Sequence, residues 1–131
     1  MNWEKLTQKS REALNSAQQL AVEYHHQELT GKHLFWVLLQ QKNGLVPRLL
    51  EKAGIDKEDL TRQLQSLLNK IPSVHGYEGS IYMSSSLVRI LAQAEKEATA
   101  LKDDYTSVEH LLLGIIKEGE KDLQDLLMRS G

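Results

Sequence analysis

Apolar residues recur at helical spacing in two long stretches: Ala13, Leu14, Ala17, Leu20, Ala21 and Tyr24, then Leu87, Ile90, Leu91, Ala94, Ala98 and Leu101. Steps of three and four line one face of an α-helix, so the spacing predicts long amphipathic helices near 8–25 and 85–102. Thr7 and Ser84 stand where a hydroxyl accepts from the first free amides. A shorter apolar run follows each: His33–Leu39 behind Thr30, and His110–Ile116 behind Thr106 or Ser107. These runs are apolar on nearly every side, which predicts central, buried helices. A third pair of helices is predicted near 45–53 and 121–129, followed by Gly54 and Gly131, each placed for the left-handed conformation that closes a helix. Between the two sets, Asp56 caps a linking helix over 56–70 that carries Leu60, Leu64, Leu67 and Leu68. Residues 72–83 hold two glycines and no helical period, so they read as a connecting loop with Val74, Tyr77, Ile81 and Tyr82 as exposed apolar candidates.

Shifting the chain against itself by 77 residues aligns 7–54 with 84–131 without a gap, the signature of an internal repeat. Leu14 falls on Leu91, Ala17 on Ala94, Ala21 on Ala98, His33 on His110 and Leu34 on Leu111, while Thr7 meets Ser84 and Thr30 meets Ser107. The repeating positions are those the helical pattern places inside. The predicted fold class is therefore all-α: one domain over 1–131, with two pseudo-repeats, about 7–54 and 84–131, joined by the linking helix and loop.

Composition narrows the chemistry. Lys and Arg number 16 against 18 Asp and Glu, for a formal charge of −2, which gives no electrostatic basis for a nucleic-acid or membrane partner. With no cysteine there is no disulfide, thiol nucleophile or thiolate metal site. No apolar run reaches the length of a membrane span and no leader pattern opens the chain, so a soluble, cytoplasmic and, for the isolated domain, monomeric protein is expected. The glycines form neither a phosphate loop nor a dinucleotide pattern, and no cofactor or catalytic site is expected in this segment. Among His25, His26, His33, His75 and His110 no two lie four apart on one helix and no carboxylate joins them at ligand spacing, so no metal site is expected. His33 and His110 are expected to bond backbone carbonyls or to pack. The acidic run Glu118–Asp122 reads as the solvated start of a helix.

In their order, the opening Leu6-Thr7, the two half-repeats, the Ala53-Gly54-Ile55 junction, the Leu68–Pro72 element, Leu87–Leu91 and the Ser107–Leu111 helix start resemble the N-terminal domain of the Clp family of ring-forming chaperones, most closely the ClpB-type disaggregases. The resemblance implies a non-catalytic helical module joined by a mobile linker to ATPase rings, where ATP and magnesium act, with co-chaperones of the parent as further partners. The implied partners of the module are unfolded or aggregated polypeptides. It implies a binding surface that includes Thr7, Asp103 and Glu109, and an apolar groove at Leu91, Gln93 and His110. The amide of Gln93 and the imidazole of His110 depart from the apolar side chains of relatives, and Ile81 and Tyr82 are placed to compensate from the loop. The alternative within the family is a module that docks a folded adaptor or a charged mark. Lys32 in Leu29-Thr30-Gly31-Lys32-His33, where protease-associated relatives carry an acid, argues against a symmetric pair of sites for a cationic mark.

Each singled-out residue also has a local reading. Thr7 serves as a helix cap; Glu109, three residues after Thr106, has the spacing of a capping box; Asp103 sits in a Lys-Asp-Asp turn where it accepts local amides. Leu91 shares the core face of Leu87, Ile90 and Ala94. Trp36 reads as core, Trp3 as a staple or a junction residue, and Gly114 as a close helix crossing.

Overall fold

The computed structural model describes residues 3–75 and 80–130; Tyr77 and Gly131 lie outside this range. After a short 3-10 turn at Trp3–Lys5, the helices are α1 (Gln8–Glu23), α2 (Gly31–Gln40), α3 (Leu45–Ala53), α4 (Lys57–Asn69), α5 (Ser85–Ala100), α6 (Val108–Glu118) and α7 (Lys121–Ser130). The expected all-α class and the helix order hold, with the long helices ending two residues sooner than the pattern predicted. Helices α1 and α5 stop alike, because His25 (φ 58°) and Lys102 (φ 60°) both take left-handed backbone. Gly54 (φ 72°) ends α3 as expected.

The caps follow the repeat. Thr7 Oγ1 accepts from the Ser10 amide at 3.2 Å and Ser84 Oγ from the Leu87 amide at 3.0 Å. The linking segment corrects the expectation of a plain loop. Two-residue strands β1 (Glu28–Leu29) and β2 (Tyr82–Met83) pair in parallel, Leu29 opposite Met83. The repeat-related partners of that pair, Leu6 and Thr106, form the matching parallel bridge. Each copy thus lends its opening residues to the turn before the central helix of the other.

A single apolar core runs through both copies, from Leu14, Leu34 and Phe35 to Leu91, Leu111 and Leu126. Helix α5 packs along α6, α1 along α2, and α4 covers α2. Gly114 permits the first of these contacts: a Cβ there would collide with the Ile90 carbonyl oxygen. Trp36 departs from the expected core position. It is only partly buried, and with Val37 it faces a cleft lined by Ser16, Gln19 and Leu20 of α1. The acidic run before α7 is also less solvated than expected: Glu120 Oε1 accepts from the Gly31 amide at 2.7 Å and the Ser86 hydroxyl at 2.6 Å.

Candidate functional site

Thr7, Asp103, Glu109 and His110 converge because the Leu6–Thr106 bridge brings the start of α1 against the turn before α6. The Thr7 amide donates to the Thr106 carbonyl at 3.1 Å, and the Thr106 amide donates to the Lys5 carbonyl at 2.7 Å. The Thr7 hydroxyl donates to Ser10 Oγ at 3.0 Å, and Ser10 donates in turn to the Thr106 carbonyl at 3.0 Å. Since the backbone of Thr106 is spent on this bridge, the cap of α6 falls one residue later than the Thr106–Glu109 spacing suggested. Ser107 caps, and the reciprocal partner is His110, whose Nδ1 accepts from the Ser107 amide at 2.8 Å. Glu109 makes no capping box and stands exposed.

The same bond fixes the tautomer of His110. With the Nδ1 lone pair engaged, the proton lies on Nε2, which donates to Asp103 Oδ2 at 2.9 Å. This corrects two expectations: the ring accepts from a backbone amide rather than donating to a carbonyl, and carboxylates do reach a histidine, since ligand atoms of Asp103, Glu109 and His110 lie within 4.8 Å of one another. Both ring nitrogens are bonded within the protein, so the cluster orients the turn at 103–107.

The first copy has the counterpart. His33 Nδ1 accepts from the Thr30 amide at 3.0 Å, and its Nε2 meets Nδ1 of His26 at 2.8 Å. His26 stands in the repeat where Asp103 stands in the second copy. Burial, first, and the neighbouring His26 and Lys32 pull the pKa of His33 down to about 3. Burial lowers that of His26 as well.

Thr7 and Glu109 open onto a groove of about 380 Å³ that also takes in Lys9, Leu45, Arg48 and Val108. Leu45 and Val108, the less exposed of its apolar and charged lining residues, form its floor, and Lys9, Arg48 and Glu109 stand exposed along it. Leu101 (60% exposed) and Tyr105 (55%) present further apolar surface on either side of Asp103 in the chain. Leu91 and His110 are buried at 2% and 1% exposure, and this corrects their placement as groove lining: Leu91 belongs to the core and His110 to the cap. Gln93 is half-buried, and its amide donates to Glu97 at 3.1 Å. The Lys117 ammonium, with that amide, holds the Glu97 carboxyl below its usual range. Ile81 is half-buried, while the exposed Tyr82 lines a separate cleft with Glu28, Lys32 and Glu120.

The family model for the Clp repeat N-terminal domain matches residues 5–130. The chaperone protein ClpB of Bacillus cereus is 42% identical over 98% of the chain, which spans 15% of that protein's length. The chain belongs to the Clp N-terminal domain family. The crystal structure of the Hsp104 N-terminal domain from Candida albicans superposes with a TM-score of 0.87 at 23% identity, covering 97% of this chain and 82% of that one. The complex of the ClpV N-domain with a VipB peptide gives 0.76 at 22% identity, covering 98% and 80%. Among the described residues of this Clp N-domain no helix is long and apolar enough to cross a membrane.

A more apolar hollow of the Clp N-domain, about 500 Å³, contains none of the residues the sequence singled out as binding. It lies among α3, α6 and α7, where Leu49, Leu112, Ile116 and Met128 line it, with Phe35 of α2 and Leu60 of α4. None of its lining residues is shared with the groove at Thr7. Sequence reasoning missed Lys9 of α1 and Leu45 and Arg48 of α3, which line one groove only once the fold brings α1, α3 and α6 together. It also missed the pairing of His26 and Asp103 with the capping histidines. Applying the 77-residue shift to polar as well as apolar positions would have found that pairing.

Proposed function

We propose that the chain is the substrate-engaging N-terminal domain of an ATP-dependent ClpB-type disaggregase. In this reading it takes extended segments of unfolded or aggregated polypeptide at the groove bounded by Thr7 and Glu109 and passes them to the ATPase ring. The observation that carries the reading is the groove itself: an apolar floor at Leu45 and Val108 under polar rims supplied by the starts of α1, α3 and α6. Such a shape takes an extended chain through several small contacts. Support comes from ClpB relatives that are named chaperones and from the structural neighbour that holds a peptide.

Weak binding suits a handover. A segment burying on the order of 300 Å² of apolar area gains about 7 kcal/mol at ~25 cal/mol per Å², and much of this is offset by ordering the peptide and losing its free motion. The resulting affinity is micromolar or weaker. A tighter site would resist transfer to the ring.

Titration of isotope-labelled domain with a permanently unfolded polypeptide, and separately with its folded form, tests the reading through backbone amide shifts. Shifts at Thr7, Leu45, Arg48 and 103–109 with the unfolded form alone are expected. Shifts with the folded form would favour adaptor docking, and no shift with either would refute direct substrate engagement at this groove.

A further inference from the structure

The rim of the groove is not neutral. Lys9 of α1 and Arg48 of α3 stand exposed on it, and none of the ion pairs formed among the described residues includes either one. Arg48 Nε donates to the Gly44 carbonyl at 3.3 Å. This bond folds the guanidinium back over the start of its own helix and leaves its terminal amino groups for another acceptor. Gly44 caps α3 with no side chain, so the partial positive charge of the first turn adds to the same end. Glu109 lines the same groove, within 4.8 Å of Asp103 and His110 by its carboxylate oxygen, which adds an acidic group to it.

We propose that the groove selects extended polypeptide segments in which an acidic side chain follows or precedes an apolar one, the carboxylate meeting Lys9 and Arg48 and the apolar side chain lying on Leu45 and Val108. This rests on the groove being the polypeptide site and adds the class of segment it prefers. Charge complementarity sets the choice. Two exposed cations lining one groove favour an anion, and Glu109, which lines it as well, disfavours a second carboxylate. The side chains need no rearrangement: Lys9 forms no ion pair among the described residues, and Arg48 keeps its bond to Gly44 while its amino groups donate to a carboxylate.

The test uses the domain and three labelled peptides of alternating apolar and polar residues, identical except that the polar positions are all Glu, all Gln or all Lys. Binding is followed by fluorescence anisotropy at low and at physiological salt. The Glu peptide is expected to bind roughly five- to tenfold more tightly than the Gln peptide at low salt, the scale of two exposed ion pairs, with less difference at physiological salt. The double variant Lys9→Gln/Arg48→Gln is expected to weaken the Glu peptide more than the Gln peptide and so erase the difference between them, and Glu109→Gln to tighten the Glu peptide. Both cations are exposed, so circular dichroism of the double variant should match the parent. Equal affinity for Glu and Gln peptides, a preference for Lys, or a Glu preference that survives the double variant overturns the proposal while leaving the groove as a polypeptide site. Failure of all three peptides to bind overturns that site and this preference with it.

Discussion

Protonation of His33 would break a bond the fold already uses. Its Nδ1 accepts from the Thr30 amide and its Nε2 donates to His26, so a second ring proton would face an N–H donor. His26 is no better placed. Its Nδ1 is taken by His33, its ring stacks on Tyr24 at 5.1 Å, and burial, joined by Lys32, outweighs the favourable Ile71 backbone contact in disfavouring positive charge on it. The folded pKa of each lies below the ordinary 6.5, so between that value and about 3 the unfolded chain binds more protons than the folded one. The stability these rings contribute is complete above about pH 6.5 and is lost as the pH falls, for His33 toward about 3, at no more than about 1.4 kcal/mol per pH unit for each. Urea midpoints measured from about pH 7.5 to 4.5 should fall through this window. In His26→Asn the amide oxygen still accepts from His33 and cannot titrate, so the slope should become shallower. An unchanged slope would show that carboxylates elsewhere set the acid limit. The second copy places Asp103 where the first has His26, which gives the same cap an open, carboxylate-bonded partner instead of a buried imidazole.

At the level of elements, the closest packing in the fold is fixed by an absence. Gly114 lets α6 lie directly on the backbone of α5, and any Cβ there meets the Ile90 carbonyl oxygen, which a helix cannot move without shifting whole. Gly114→Ala should therefore lower unfolding stability by roughly 1–3 kcal/mol, read from urea denaturation, despite the better helix propensity of alanine. A neutral or stabilising effect would mean that the two helices slide apart at little cost. This crossing was legible in the sequence, because Gly114 interrupts an otherwise apolar helix run. The helices themselves were legible for the same reason: three- and four-residue spacing over many turns is a strong local signal. The paired strands were not, since two residues carry no alternation to read. Trp36 was misread because a run with no polar residue between His33 and Leu39 gives no sign of which side stays uncovered. The candidate site was legible in part. Thr7 was found from capping logic, whereas Lys9 of α1 and Leu45 and Arg48 of α3 lie far apart in the sequence and acquire a common role only where α1, α3 and α6 border one groove.

The two copies complete one another. Leu6 of the first pairs with Thr106 of the second, and Met83 of the second pairs with Leu29 of the first. Helix α2 touches both α5 and α6, α1 touches α6, and α4 touches α7. Leucines from both halves lie in one continuous core at 0–2% exposure. Either half alone would expose the apolar face its partner covers and leave the pairing edge before its central helix without a mate, and its chain is short for a self-sufficient core. Fragments 1–75 and 80–131 should therefore show little cooperative unfolding when separate. Mixed in equal amounts, they should recover helical circular dichroism and elute as a one-to-one complex. A first fragment that unfolds cooperatively by itself would instead make the second copy a satellite packed on a finished unit. Co-folding also bears on the groove, because its walls come from α1 and α3 of one copy and α6 of the other. Neither fragment alone should bind an unfolded polypeptide, and the reconstituted pair should regain binding together with its helical signal.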